Sequence, residues 1–265
     1  MKKILFLSAC TVLTLALAAH EFWLAPGKFI YKKGDVLTLR FEVGEDFTGE
    51  GWTGNRDKVV SLLHHAPSGT FSIADKMPAV KGDSMRLTLE EEGTQMISFN
   101  SNNSFISLPA KEFEAYLRED QLADALEFRK RNRESDSTGR EYYQRSVKTI
   151  FQVGGLFTPG ICSKTSLPLD LVPLQNPYQL QEDDSLTVRV LFKGEPLKNQ
   201  YTVVWHRNRE IFLKVPYRTN DKGEIRFPVI PRSKWMVSTV KMERLEKGGP
   251  ADWQSYWGSL TWGYN

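Results

Sequence analysis

Val36-Leu37-Thr38-Leu39-Arg40-Phe41-Glu42-Val43 alternates apolar and polar side chains. Successive side chains of a strand point to opposite faces, so a period of two predicts a strand with one face buried and one in water. Working outward, the same reading predicts strands at Lys58 to His64, Ser84 to Leu89 and Thr94 to Phe99. Turn residues at Ser68-Gly69, Lys81-Gly82-Asp83 and Glu92-Gly93 separate them. Many short strands at this spacing point to a sandwich or a barrel.

The middle of the chain changes period. Between Ala110 and about Arg133, Phe113, Tyr116, Leu117, Leu122, Ala125 and Leu126 recur at helical steps, and Pro109 suits a helix start. Glu134 to Gly139 reads as a loop. Arg140 to Lys148 reads as a second helical piece, with Glu141, Arg145 and Lys148 on one face as an ion ladder. The run Arg129 to Arg133 reads as a solvated helix end.

Beyond Gly154-Gly155 and Pro159-Gly160 strands resume at Ser185 to Phe192, Tyr201 to His206, Ile211 to Val215, Glu224 to Val229, Trp235 to Glu243 and Ser255 to Trp262. The expected fold is therefore mainly β. It has two β-sandwich domains, 20–164 and 165–265, the second immunoglobulin-like or transthyretin-like, with a helical insertion at about 110–148.

Residues 1–19 read as a signal peptide: Lys2 and Lys3, an apolar run from Ile4 to Ala18, and small residues at the exit. Cleavage falls after Ala18 or Ala19. Leu7-Ser8-Ala9-Cys10 has a lipobox character, but the apolar run continues past Cys10, so ordinary cleavage is the preferred reading. The expected location is periplasmic or secreted. No later apolar run is long enough for a transmembrane span.

Of the two cysteines, Cys10 leaves with the leader and Cys162 has no partner for an internal disulfide. The net charge of +3 includes Lys2 and Lys3, which leaves no concentrated basic surface of the kind nucleic acid requires. The sequence has no nucleophile elbow, phosphate loop or dinucleotide fingerprint, so nothing marks it as an enzyme. The aromatic chain end (Trp253, Tyr256, Trp257, Trp262, Tyr264) fits a packed strand face better than a glycan platform.

The four histidines are His20, His64, His65 and His206. His64 and His65 are neighbours on one strand and point to opposite faces, so they do not chelate together. Cleavage after Ala19 makes His20 the first residue, whose free amine and ring grip one ion. His206, near the end of its strand, is the candidate second ligand. Such nitrogen donors suit copper, nickel, cobalt or zinc.

Several stretches in order resemble a known family: His20-Glu21-Phe22-Trp23-Leu24-Ala25-Pro26, Phe113 with Tyr116-Leu117, and Glu141, Tyr143, Arg145 and Lys148. The others are Leu169 to Pro177, Gly194 to Leu197, Arg218 to Gly223 and Ala251 to Trp257. The chain resembles the exported bacterial family of unassigned function often labelled as a periplasmic component of cobalt or nickel uptake. The resemblance implies a β-rich periplasmic protein with a leading histidine, a helical segment and a C-terminal sandwich. Members often carry a histidine before the methionine of the strand containing Met242; here Lys241 stands there. A charged ammonium has no lone pair for a metal. Two functions follow as expectations: a transition-metal-binding or metal-uptake accessory protein, or a non-metallic envelope module that presents a surface to a transporter, receptor or glycan.

Overall fold

The computed structural model describes residues 21–209 and 211–265. The proposed leader, its cleavage point and His20 lie outside the described residues. Strands are numbered in chain order.

The fold is mainly β and has three layers. The middle layer is a ten-stranded sheet. Its path runs β15 (Phe212–Arg218), β14 (Tyr201–Arg207), β17 (Lys234–Arg244), β18 (Trp253–Gly263), β10 (Gly139–Val153), β8 (Gly93–Ser101), β5 (Val59–Ala66) and β6 (Gly69–Ser72). Short strands β2 (Ile30–Tyr31) and β9 (Ser104–Leu108) also pair with β10. A four-stranded sheet of β1 (Glu21–Pro26), β3 (Val36–Glu45), β4 (Thr48–Gly51) and β7 (Ser84–Thr88) covers one face. Another, of β11 (Leu169–Pro173), β12 (Ser185–Phe192), β13 (Glu195–Pro196) and β16 (Glu224–Pro228), covers the other.

The middle sheet is buried on both sides. Ile150 and Phe151 are adjacent and both inaccessible to solvent, yet they enter different cores. Phe151 packs with Leu24, Leu39 and Phe41 of the first sheet, and Ile150 with Leu171, Leu186 and Val188 of the second. Strands flanking residue 164 contribute to the same sheet, because β10 and β18 pair in parallel from Glu141 with Trp253 to Thr149 with Thr261. Lys148 and Asp170, 1% and 2% exposed, form an ion pair of 2.5 Å that ties β10 to β11. Such a buried pair is weak evidence of stabilisation in itself, but either charge left alone is strongly unfavourable.

β3 buries Leu37, Leu39 and Phe41 and exposes Val36, Thr38 and Arg40, as its alternation predicts. The helical segment is shorter than expected and splits into α1 (Ala110–Glu119) and α2 (Ala123–Arg131). Gln121 between them has a φ of 54°, a left-handed value that breaks the helical run. The two helices lie on the same face as β1, packing Phe113, Tyr116 and Leu117 against Val240, Met242, Trp253 and Trp257. Gly139 makes room for the Phe113 ring, since a Cβ there would stand 2.1 Å from Phe113.

Two expectations fail here. Arg140 to Lys148 is not helix but the first two thirds of β10, so the helical insertion ends at Arg131. Hydrogen-bonded neighbours on both sides, β18 and β9, hold it extended. Glu141 and Arg145 consequently share one face of the sheet and Lys148 takes the other, so no ladder forms. Arg129, read as solvated, is 3% exposed. Its guanidinium donates to Ser137 O at 2.7 Å and Ser135 O at 3.3 Å, closing the loop after α2.

Candidate functional site

The face that carries β1 and α1 also collects buried charge. α1 ends by placing Asp120 at its C-cap, a position that favours cations over acids because the helix dipole is negative there. One Asp120 oxygen, Oδ2, is buried with no hydrogen-bond partner among the described residues. Burial foremost, then the fields of Glu21, Glu119 and Glu141, pushes its pKa well above the usual carboxylate range.

β1 brings Glu21 alongside. Its Oε1 accepts from Ser238 Oγ at 2.8 Å, and burial raises its pKa although that bond and Arg145 oppose the shift. β10 contributes Glu141, whose Oε1 accepts from the hydroxyls of Tyr116 (3.2 Å) and Ser255. Its Oε2 is buried without a described partner, and burial pushes the pKa up to about 7. Arg145, two positions along the same strand face from Tyr143, lies among rings: 5.0 Å from Trp257, 5.2 Å from Tyr143 and 5.6 Å from Phe22. Its charge acts on Glu21, Asp120 and Glu141.

A cleft of about 160 Å³ opens against this group, lined by Glu21, Glu45, Glu119 and Asp120, with Trp205 and Lys214 on its far wall. Lys214 Nζ sits 3.9 Å above the Trp205 ring and 3.5 Å from Asp46 Oδ1. The site is thus rich in carboxyl groups, and burial shifts three of them, Glu21, Asp120 and Glu141, toward their protonated form. A cation entering it would displace protons and pair with oxygens that lack other partners.

The nitrogen ligands expected from the sequence are not assembled in the described residues. His20 lies outside them. His206 is on β14 but turns into the opposite core. It is 3% exposed, with its ring 4.4 Å from that of Trp235, and both nitrogens lack a described partner. Burial lowers its pKa. The next residue back, Trp205, packs with Trp23 on the β1 side. His206 and Glu21 therefore stand on opposite faces of the middle sheet. Among the described residues, no three of His, Cys, Asp and Glu form a group able to hold a metal by themselves.

His64 and His65 do point to opposite faces. His64 stacks on Phe151 with Nε2 2.7 Å from Gln95 Oε1, whereas His65 meets Ser98 and Thr70. Burial drops the His65 pKa to about 4. Trp253, Trp257 and Trp262 are core residues, with Trp262 stacked on Trp235 at 5.9 Å. Lys241 lines a different, polar cleft of about 240 Å³ together with Gln121 and Tyr201. Glu21, Asp120 and Glu141 were not foreseen as one site. Asp120 lay inside the helix expected over Ala110 to about Arg133, so nothing marked it.

A family model described as "Domain of unknown function (DUF4198)" matches residues 17–243. No curated protein matches the chain. Among solved structures, a mutant Salmonella alpha-2-macroglobulin aligns at 12% identity and TM-score 0.25, over 98% of this chain and 16% of that one. The D0-D1 domain of Intimin aligns at 10% identity and TM-score 0.21, over 91% and 97%. A DUF3823 family protein from Bacteroides uniformis aligns at 9% identity and TM-score 0.22, over 93% and 100%. Among the described residues, no helix is long and apolar enough to cross a membrane.

Proposed function

Starting from a chain that belongs to the DUF4198 family of unknown function, we propose that it is an exported protein that binds a transition-metal ion at the acidic cleft beside β1. In this reading it serves metal uptake in the periplasm, handing its ion to an envelope transporter. The observation that carries the reading is the unpartnered, buried Asp120 oxygen in a cleft walled by Glu21. His20 is bonded to Glu21, and adjacent Cα atoms are about 3.8 Å apart. A leader cut after Ala19 would leave a free amine and an imidazole on the residue bonded to Glu21 of that cleft.

His20 and Asp120 would then hold the ion, with Glu21 beside them on the cleft wall. His206 takes no part, because it faces the other core. Two nitrogens with a carboxylate suit copper(II), nickel, cobalt or zinc, the ions that accept mixed nitrogen and oxygen donors. Burial favours the protonated form of Asp120 and a metal binds the carboxylate, so affinity rises with pH.

The test is an intact mass of the exported protein together with elemental analysis after dialysis. The expected mass is that of a chain beginning at His20, carrying one ion. His20→Ala should lose the ion, and Asp120→Asn should weaken retention by about tenfold or more, the loss of one charge-assisted contact. Equal metal content in the parent and both variants would remove the site.

A further inference from the structure

A second cleft, of about 820 Å³, opens where β14 ends and β17 begins. Its wall carries Arg207, Arg209, Arg232 and Lys234, with Ser233 between the last two. The strands run antiparallel there, and Arg207 pairs with Lys234 across the ladder, so two cations are held side by side. Burial depresses the Lys234 pKa and Arg207 depresses it further. Among the described residues, none of the four cations is in an ion pair within 4.0 Å. Glu42, whose field reaches Lys234, is already engaged by Arg40 at 2.8 Å. Arg207 donates one N–H to Asp46 O at 2.6 Å, which fixes the guanidinium without neutralising it.

Two further observations concern the turn that leads into β17. The Ser233 hydroxyl is buried, with the residue only 3% exposed, and it has no hydrogen-bond partner among the described residues. Buried hydroxyls without partners are rare, since each forfeits its bonds to water. Arg232 follows Pro231 at a φ of 71°, the turn position at which glycine or asparagine is free of strain. The chain thus holds a charged side chain on the cleft wall at a position where a smaller residue would sit more easily.

We propose that this cleft binds a phosphoryl group, with Arg207, Arg209, Arg232 and Lys234 matching its charge and the Ser233 hydroxyl donating to one of its oxygens. Guanidinium forks suit the tetrahedral oxyanion bidentately. The cleft is larger than a bare phosphate and lies in the range of small-molecule sites, so the group arrives attached to a larger body. That body is either a soluble phosphorylated molecule or the headgroup region of an anionic lipid.

Titration calorimetry of the full chain with inorganic pyrophosphate, and sedimentation with phosphatidylglycerol or phosphatidylcholine vesicles, tests this. One of the two anionic probes is expected to bind, and binding falls steeply from low to moderate salt. Pyrophosphate alone assigns a soluble ligand; phosphatidylglycerol alone assigns a lipid headgroup. Arg209→Gln with Arg232→Gln should weaken binding at least tenfold, and Ser233→Ala should weaken it severalfold. Arg86→Gln, an exposed residue on β7 outside the cleft, should leave it unchanged. Arg232→Gly relieves the turn, so it is expected to melt no lower than the parent while losing affinity, which separates recognition from folding. Failure of both anionic probes to bind, or equal affinity in the parent and the double variant, would overturn the assignment.

Discussion

Glu141 shows how much one residue's surroundings decide. Its carboxyl is 2% exposed, and burial lifts its pKa from an ordinary 4.5 to about 7. A carboxyl whose folded pKa lies above its unfolded one binds its proton more tightly in the native state. The stability it contributes is complete below about 4.5 and is lost as the pH rises through about 7. The loss from this group is on the order of 3 kcal/mol. Glu141→Gln keeps a group that can bond Ser255 and Tyr116 but cannot ionise. Urea midpoints at pH 5 and pH 8 should therefore diverge less in Glu141→Gln than in the parent; identical pH slopes would contradict the burial argument. At this scale the sequence was only partly legible. It marked His206 as a ring near a strand end, but not which core the ring enters, because that depends on two layers that cover opposite faces of β14. Asp120 lay inside an expected helix from Ala110 to about Arg133, and only the break at Gln121 makes it a helix-end acid.

Among the elements, β3 was readable and β10 was not, for one physical reason. β3 has a wet face, so its sequence alternates. β10 is enclosed on both faces from Arg145 to Val153, and a strand without a wet face loses the period of two. Its charges at positions 141, 145 and 148 then imitate a helical stripe, although each meets a different partner across a layer. Hydrogen–deuterium exchange separates the readings. Amides from Gln144 to Gln152 should exchange at least about tenfold more slowly than those of the border strand β15, as expected for a strand that opens only with the whole sheet. Comparable rates in the two strands would remove β10 from the centre. The strands after residue 184 were legible to within two residues at most ends. β1 was not, since Glu21-Phe22-Trp23-Leu24 is too short and too apolar to alternate.

For the whole molecule, the decisive pairing is between Glu141 to Thr149 and Trp253 to Thr261, segments far apart in the chain. No local pattern encodes such a contact, so the single shared sheet could not be read from the sequence. Because both outer sheets pack on it, heating should give one calorimetric transition whose van't Hoff and calorimetric enthalpies agree. Two resolved transitions would show that the halves unfold separately. The same long-range pairing predicts slow folding, since loops must close before these contacts form. At one border of the sheet, β15 carries Lys214 at its middle and Pro216, which has no backbone donor, among the exposed Leu213 and Val215. An approaching copy of the chain meets a charge and a missing donor along that rail, so end-to-end polymerisation of the sheet is penalised at the very place where its oily side chains would otherwise invite it.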